Sequence, residues 1–322
     1  MKIFVTRKIP ESGIDLLKKE GLDVEVSDLD GVLSREKLLE KVKGVDAILS
    51  LLTDKIDGEI MDAAGPQLKV IANYAVGYDN LNLADAEKRN IILTNTPEVL
   101  SETVAEHTFA LMLAIAHRIA EADKFFREGK YTGWAPLLLL GQDVSHKTLG
   151  IVGLGRIGSL VAKHAHKGFE MKVLYYDIKR NEDFEKEFNA EFRENVEDIL
   201  KESDFVSLHV PLLPSTKHLI NEERLKMMKR SAYLINTSRG PVIDENALVK
   251  ALKEGWIKGA ALDVYENEPK PTLGLTDLPN TVLTPHIASA TEETRSKMSE
   301  LAAQNIIAVL KGEKPLTPIN KI

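Results

Sequence analysis

Along the first hundred positions the apolar residues follow two alternating rhythms. Short β-branched runs at residues 2–6, 23–27, 47–51, 70–72 and 91–94 alternate with stretches at 13–19, 35–42, 58–63 and 84–89, where apolar residues return every three or four positions. Strands alternating with amphipathic helices predict a parallel sheet with crossover helices. The breakers Pro10, Gly21, Gly44, Pro66 and Pro97 fall between these elements. Ser34 predicts an N-cap, and Glu36 puts a negative charge in the following first turn. Lys37 holds the place that a full capping box gives to Glu or Gln.

A second series predicts strands over 149–152, 173–176, 205–208, 232–236, 259–262 and 281–284, with helical spacing between most of them, and hence a second parallel sheet. Between the two series the pattern predicts one apolar helix over 103–119. It is followed by a loop-like segment over 126–143 containing Gly129, Gly133, Pro136, Gly141 and the leucines Leu137, Leu138, Leu139 and Leu140. An apolar helix with a leucine-rich arm has little reason to face water, so the stretch of about 103–145 is expected to form a two-fold dimer interface. The last helix, over 291–310, is expected to start from Ser289 with Glu292 completing a capping box. No internal repeat or heptad pattern emerges.

Composition narrows the function classes. A chain of 322 residues exceeds the usual single core, which favours two domains. With 49 acidic and 42 basic residues, a net charge of -7 and no long basic run, nucleic acid and anionic membranes are unsuited partners. Cysteine is absent, which removes disulfides, thiolate metal sites and cysteine nucleophiles; no metal site is expected. Met1-Lys2 runs directly into the strand-like Ile3-Phe4-Val5, and no apolar run approaches a membrane span, so a cytoplasmic protein is expected.

The first chemical motif is Gly153-Leu154-Gly155-Arg156-Ile157-Gly158, between a predicted strand and a predicted helix. In that context Gly153 permits a tight turn, Gly155 lets the backbone approach a pyrophosphate, and Gly158 lets helix and strand pack closely. The N–H groups of the helix start, around Arg156 and Ile157, can then hold phosphate. Asp177 ends the next strand, about twenty residues on, where a carboxylate accepts from the adenine ribose hydroxyls and repels a 2′-phosphate. Lys179 and Arg180 follow closely and soften that discrimination, so NADH is the expected preference with NADPH not excluded.

Three further motifs stand in order: Asn236-Thr237-Ser238-Arg239-Gly240, Leu262-Asp263-Val264-Tyr265-Glu266-Asn267-Glu268-Pro269, and Thr284-Pro285-His286-Ile287-Ala288. With the glycine motif they resemble the D-2-hydroxyacid dehydrogenases, and the likeness covers nearly the whole chain. The resemblance implies an α/β protein of two parallel-sheet domains. These would be a discontinuous flavodoxin-like substrate domain over 1–99 and 289–322, and a Rossmann cofactor domain over 100–288. It also implies hydride transfer between a nicotinamide cofactor and a small 2-keto acid. Such chemistry needs a proton donor and a cation for the substrate carboxylate. His286 suits the first role, supported by Glu268, because a carboxylate on the other ring nitrogen favours imidazolium and fixes the ring. Arg239 suits the second with its planar fork. Glu266 competes as the acid partner; the family's glutamate directly precedes proline, which selects Glu268.

The resemblance further implies that Val210, Pro211 and Thr216 line the adenine side and that Thr237 and Ser238 lie by the nicotinamide ribose. It implies that Asp263 holds the carboxamide and that Ala288 belongs to the cofactor site. Where many relatives carry a hydroxyl that reaches a phosphate, this chain has Val104, preceded by Thr103. On the substrate side, Tyr74-Ala75-Val76-Gly77 resembles the loop whose N–H groups hold the carboxylate. Leu51-Leu52-Thr53-Asp54 and Gly133-Trp134-Ala135-Pro136 resemble the glyoxylate and hydroxypyruvate reductase branch, in which the tryptophan reaches a neighbouring subunit's pocket. Leu52, Val76, Gly77, Trp134, Arg239 and His286 are therefore the expected substrate contacts, in a homodimer. A D-lactate or phosphoglycerate enzyme, or a cofactor-gated interaction protein, are the alternatives.

Overall fold

The computed structural model describes residues 1–320; Lys321 and Ile322, which close the expected substrate domain, lie outside them. The chain divides into two compact units, Met1–Leu100 with the chain from Ser289, and Ser101–Ala288.

The first unit runs β1 (Lys2–Val5), α1 (Glu11–Lys19), β2 (Asp23–Val26), α2 (Arg35–Lys41), β3 (Ala47–Ser50), α3 (Gly58–Ala64), β4 (Val70–Asn73), α4 (Leu83–Lys88) and β5 (Ile92–Thr94). Its sheet has the order β2-β1-β3-β4-β5 with every pair parallel, which is the flavodoxin-like order. Strands β3 and β4 are buried at every position, so they read as unbroken apolar runs rather than alternations. The side chains of Ser34, Asp57 and Asn82 accept the N–H groups of Lys37, Ile60 and Asp85, which starts α2, α3 and α4 where the sequence breaks.

The last helix, Glu292–Leu310, packs on α1 in this unit. The two approach so closely at Gly13 that an added Cβ would lie 2.2 Å from the Ser299 carbonyl oxygen. Its cap is Thr291, whose side chain accepts from Thr294 N–H, and not Ser289 as the capping-box spacing suggested. The Ser289 carbonyl accepts Thr291 N–H at 3.1 Å just ahead of the helix, and the chain is still extended at Thr291.

The second unit opens with α5 (Ser101–Ala116) and α6 (Ile119–Arg127). The single helix expected over 103–119 thus ends early, and residues 126–127 close a second helix instead of opening a loop. The Ala116 carbonyl accepts from Gln142 N–H at 2.9 Å, and Arg118 turns left-handed at φ 56°. Then follow β6 (Thr148–Val152), α7 (Arg156–Phe169), β7 (Lys172–Tyr176), α8 (Glu182–Phe188), β8 (Glu191–Phe192), α9 (Val196–Glu202), β9 (Phe205–Leu208), α10 (Glu222–Met227), β10 (Tyr233–Asn236), α11 (Glu245–Glu254), β11 (Gly259–Leu262) and β12 (Thr281–Leu283).

The seven strands lie in the order β12-β11-β10-β9-β6-β7-β8, all parallel, which is a Rossmann sheet extended by one strand. One apolar layer, with Phe109, Met112, Val161 and Tyr175, packs α5 and α7 on one face. Another, with Ile199, Leu225 and Leu248, packs α9 to α11 on the other. Each such side chain, taken fully out of water, contributes about 1.5–3 kcal/mol. Strands β6 and β9 are neighbours although distant in sequence, so the sheet's direction of growth reverses between them. Ligands of open α/β sheets bind at the carboxyl ends of strands beside such a reversal. No helix among the described residues is long and apolar enough to cross a membrane.

Candidate active site

At the end of β6 the chain enters the glycine motif. Gly153 sits at φ 98°, and an added Cβ would meet the His209 carbonyl at 2.8 Å and the Val210 side chain at 3.0 Å, so the end of β9 closes one side of the turn. A Cβ on Gly158 would lie 2.0 Å from the Gly153 carbonyl oxygen, which forces glycine where α7 leaves the turn. A Cβ on Gly155 would meet nothing within 4 Å, and no side chain caps α7. The turn is therefore open on the side where a pyrophosphate approaches a helix N-terminus, and the residues fit a dinucleotide.

Asp177, at the end of β7, accepts Leu154 N–H on Oδ2 at 2.7 Å and Lys179 N–H on Oδ1 at 3.3 Å. Each oxygen keeps a further lone pair for ribose hydroxyls. Arg180 is committed elsewhere: its Nε and an Nη bond both oxygens of Glu185, at 2.8 and 2.7 Å, and the Tyr175 hydroxyl donates to the same carboxylate at 2.7 Å. The Arg180 hydrogen bonds hold the Glu185 carboxyl down to about 2, and burial pushes the Tyr175 hydroxyl up to about 12.

At the end of β9, burial pushes the His209 imidazolium down to about 3, so the ring is neutral and shares a hydrogen with Ser207 Oγ at 2.8 Å. The Thr216 hydroxyl ties the Pro211 to Leu213 turn, donating to the Pro211 carbonyl at 2.6 Å and accepting Leu213 N–H at 2.8 Å.

At the end of β10, Thr108 Oγ1 donates to the Val104 carbonyl at 2.7 Å, so in its 3.0 Å contact with Thr237 the hydroxyl of Thr237 is the donor. Ser238 Oγ donates to Asn236 Oδ1 at 2.7 Å, while Asn236 Nδ2 donates to the Arg239 carbonyl at 2.9 Å. This short network shapes the turn from which the half-buried Arg239 projects. An Nη of Arg239 donates to the Ser238 carbonyl at 2.8 Å.

The acid pair lies at the ends of β11 and β12. His286 Nδ1 is 2.9 Å from Oε2 and 3.2 Å from Oε1 of Glu268, which leaves Nε2 as the ring atom directed away from the carboxylate. His286 has φ 54°, in the left-handed region that few non-glycine residues occupy. Asp263 holds it there. Its carbonyl accepts His286 N–H at 2.9 Å, and its fully buried carboxylate accepts Ile287 N–H, Ala288 N–H and the Thr284 hydroxyl at 2.8, 2.8 and 2.6 Å.

Burial raises the Asp263 carboxyl, but hydrogen bonds from His107, Thr284 and the two N–H groups outweigh it, and the net shift is downward. His107, on α5, reaches Asp263 Oδ1 at 3.5 Å and Thr284 Oγ1 at 3.2 Å. Sequence reasoning assigned His107 no role, since nothing in its helical context marks which face of α5 meets β11 and β12. Among the described residues, no group of three or more His, Asp or Glu is placed to hold a metal.

In the first unit, the loops after β3 and β4 are joined by amides. Asn80 Nδ2 donates to the carbonyls of Leu51 and Asp54 at 3.1 and 3.0 Å, which fixes the turn that carries Leu52. The Ala75 carbonyl accepts Thr96 N–H at 2.9 Å and the Val76 carbonyl accepts Asn95 Nδ2 at 2.7 Å. In a trans peptide the N–H opposes the C=O, so Val76 N–H and Gly77 N–H are both turned away from that segment, as a pair able to grip an anion. Trp134 is 83% exposed on the segment after α6.

The glycine turn, the strand ends around it and the acid pair are those of an NAD(P)-dependent oxidoreductase. The model of the D-isomer specific 2-hydroxyacid dehydrogenase NAD binding domain matches residues 109–288. A glyoxylate reductase of Korarchaeum cryptofilum is 53% identical over 99% of this chain and 96% of the relative. A crystal structure of a protein from Thermus thermophilus is 45% identical with a TM-score of 0.93, over 99% of this chain and all of that one (100%). A crystal structure of an NADPH-dependent glyoxylate/hydroxypyruvate reductase from Sinorhizobium meliloti, with NADP and malonate, is 31% identical with a TM-score of 0.86, over 99% and 96% of the two chains. The chain belongs to the D-isomer specific 2-hydroxyacid dehydrogenase family.

Proposed function

We propose that this enzyme reduces glyoxylate, and with it hydroxypyruvate, to the D-2-hydroxy acid, and that it prefers NADH. The observation that carries the reading is the His286–Glu268 pair at 2.9 Å, in a chain 53% identical to a glyoxylate reductase. The chemistry supplied by the nicotinamide cofactor when bound is hydride donation. Gly153, Gly155, Gly158 and the start of α7 at Arg156 and Ile157 would hold its pyrophosphate. Asp177 would take the adenine ribose, Val210, Pro211 and Thr216 the adenine side, and Thr237, Ser238, Asp263 and Ala288 the nicotinamide side.

Arg239 would bind the substrate carboxylate and polarise the neighbouring carbonyl. Val76 and Gly77, through their N–H groups, and Leu52 and Trp134 are further proposed substrate contacts. As the carbonyl carbon gains hydride, its oxygen takes the proton from His286 Nε2, and Glu268 stabilises the imidazolium before transfer and holds the ring throughout. The neutral ring then regains a proton from solvent.

NADH preference is supported by Asp177 and by the engagement of Arg180 with Glu185, which keeps its charge paired. The Sinorhizobium meliloti enzyme, by contrast, is NADPH-dependent. A homodimer is supported by the arm: α6 has no buried residue, and Phe126, Trp134, Leu137 and Leu140 are 66, 83, 79 and 59% exposed. The cytoplasm, where nicotinamide cofactors turn over, is the compartment that suits it. Initial rates for a panel of 2-keto acids, each with NADH and NADPH, test the reading. Glyoxylate and hydroxypyruvate should lead with NADH, and the absence of turnover with either acid would refute it.

A further inference from the structure

Glu245 stands at the first helical position of α11 with its side chain only 1% exposed, and no role in the reaction has yet fallen to it. Burying a carboxylate costs several kcal/mol unless donors replace the lost water. Its donors come from both ends of one loop. Oε1 accepts Glu266 N–H at 2.5 Å and Oε2 accepts Thr272 N–H at 2.9 Å, and Glu268 lies between those two attachments. The bond is reciprocated, since Glu245 N–H donates to Glu266 Oε2 at 3.3 Å. The other oxygen of Glu266 meets His218 Nε2 at 2.6 Å, so this second acidic residue of the motif is occupied in holding the loop.

The fastened backbone is also where the three reacting side chains are tied together. Gly240, directly after Arg239, lies so close that an added Cβ would be 1.9 Å from the Tyr265 carbonyl carbon and 2.5 Å from Glu266 N. Tyr265 N–H donates to Glu268 Oε1 at 3.1 Å, and the Tyr265 hydroxyl donates to the Thr284 carbonyl, two residues before His286, at 2.9 Å. A shift of Tyr265 and Glu266 therefore moves Glu268 relative to both Arg239 and His286.

We propose that Glu245 is a positioning residue: by fastening both ends of the loop over residues 265–272, it sets Glu268 in register with His286. The proposal rests on the functional reading above. Glutamine at this position offers one acceptor where two N–H groups need one each, so Glu245→Gln releases one end of the loop.

In the whole enzyme, Glu245→Gln should lower glyoxylate turnover by roughly 10- to 100-fold, because a small misplacement of a catalytic group costs that much, while the NADH dissociation constant stays unchanged. In a Glu268→Gln background the same substitution should cost nothing further, since the group it positions is gone; a general structural defect would multiply instead. Amide hydrogen exchange over 265–272 should accelerate while α5 and α7 keep their protection.

Wild-type turnover in folded Glu245→Gln, multiplying losses in the double variant, or unchanged exchange over the loop would each overturn the proposal. Should Glu245→Gln not fold, Glu245→Asp keeps the charge, shortens the reach and is read in the same three ways. If instead the wild type does not reduce glyoxylate, or Glu268→Gln is without effect, the functional reading fails. Loop exchange then judges the anchoring, which unchanged exchange would still refute.

Discussion

His286 donates its backbone N–H to the carbonyl of Asp263 at 2.9 Å, and the carboxylate of that same aspartate takes the next two N–H groups. A left-handed histidine is thus held from the end of β11 by a residue that is buried and charged. In that environment a carboxylate is tolerated only while its donors stay in place.

That arrangement sets an acid sensitivity. The Asp263 carboxyl lies below its ordinary 3.8 in the folded chain, so its stabilising contribution is complete above that value and is lost as pH falls from 3.8 through the folded-state value. Asp263→Asn removes the charge in both states and turns an amide N–H toward Ile287 or Ala288. It should cost about 1–3 kcal/mol at neutral pH, and its stability should fall less steeply than the wild type's below pH 3.8. Urea midpoints at neutral pH and across the acid range check this; parallel acid slopes would count against it.

Much of the fold was legible because parallel strands buried on both faces leave continuous apolar runs. Residues 205–208 and 259–262 were read to their observed ends, and the glycine motif needed only its flanking strand and helix. What was illegible depends on distant partners. The break after Ala116 follows from its carbonyl bonding Gln142 N–H, and no local signal announces that. Ser289 and Thr291 are both capping residues by type, and only the path of the chain chooses Thr291. Strand β8, Glu191–Phe192, is too short to show a period. His107 reaches Asp263 through helix-on-sheet packing, and Glu245 reaches the Glu268 loop in the same non-local way, so neither carries a motif.

The acid pair makes a kinetic prediction. His286→Asn should lower glyoxylate turnover by several orders of magnitude with NADH binding retained, and Glu268→Gln should give a smaller loss, because the ring keeps its place but loses its charged partner. Steady-state rates beside a fluorescence titration of NADH separate the two effects. A His286→Asn variant with near-normal turnover would move the proton donor elsewhere.

The arm makes a prediction about assembly. Leu137 and Phe126 expose large apolar surface, and placing aspartate at both should convert a dimer to monomers by desolvating charge in the interface. Light scattering on wild type and the double variant is the check, and a monomeric wild type would dispose of the interface. Trp134→Ala, by contrast, should raise the glyoxylate KM without dissociating the dimer if the tryptophan reaches a substrate pocket.

On the proposed reading, cofactor preference turns on two carboxylates. Asp177 would meet the adenine ribose, so Asp177→Ser should narrow the NADH preference by removing a charge that repels a 2′-phosphate. Glu185 acts through Arg180: its two oxygens hold the guanidinium at 2.7 and 2.8 Å, and those bonds keep the carboxyl down at about 2. Because that folded-state value is about 2, the carboxylate stays ionised and the pairing intact at neutral pH; it is lost only as pH falls through about 2. Glu185→Gln should therefore release part of the Arg180 charge at neutral pH and raise kcat/KM with NADPH while leaving that with NADH nearly unchanged. Adding Glu185→Gln to Asp177→Ser should favour NADPH more than either alone, since one change removes repulsion and the other frees attraction. The ratio of catalytic efficiencies with the two cofactors measures this, and a ratio that Asp177→Ser and Glu185→Gln both leave unchanged would place the discrimination outside this strand end.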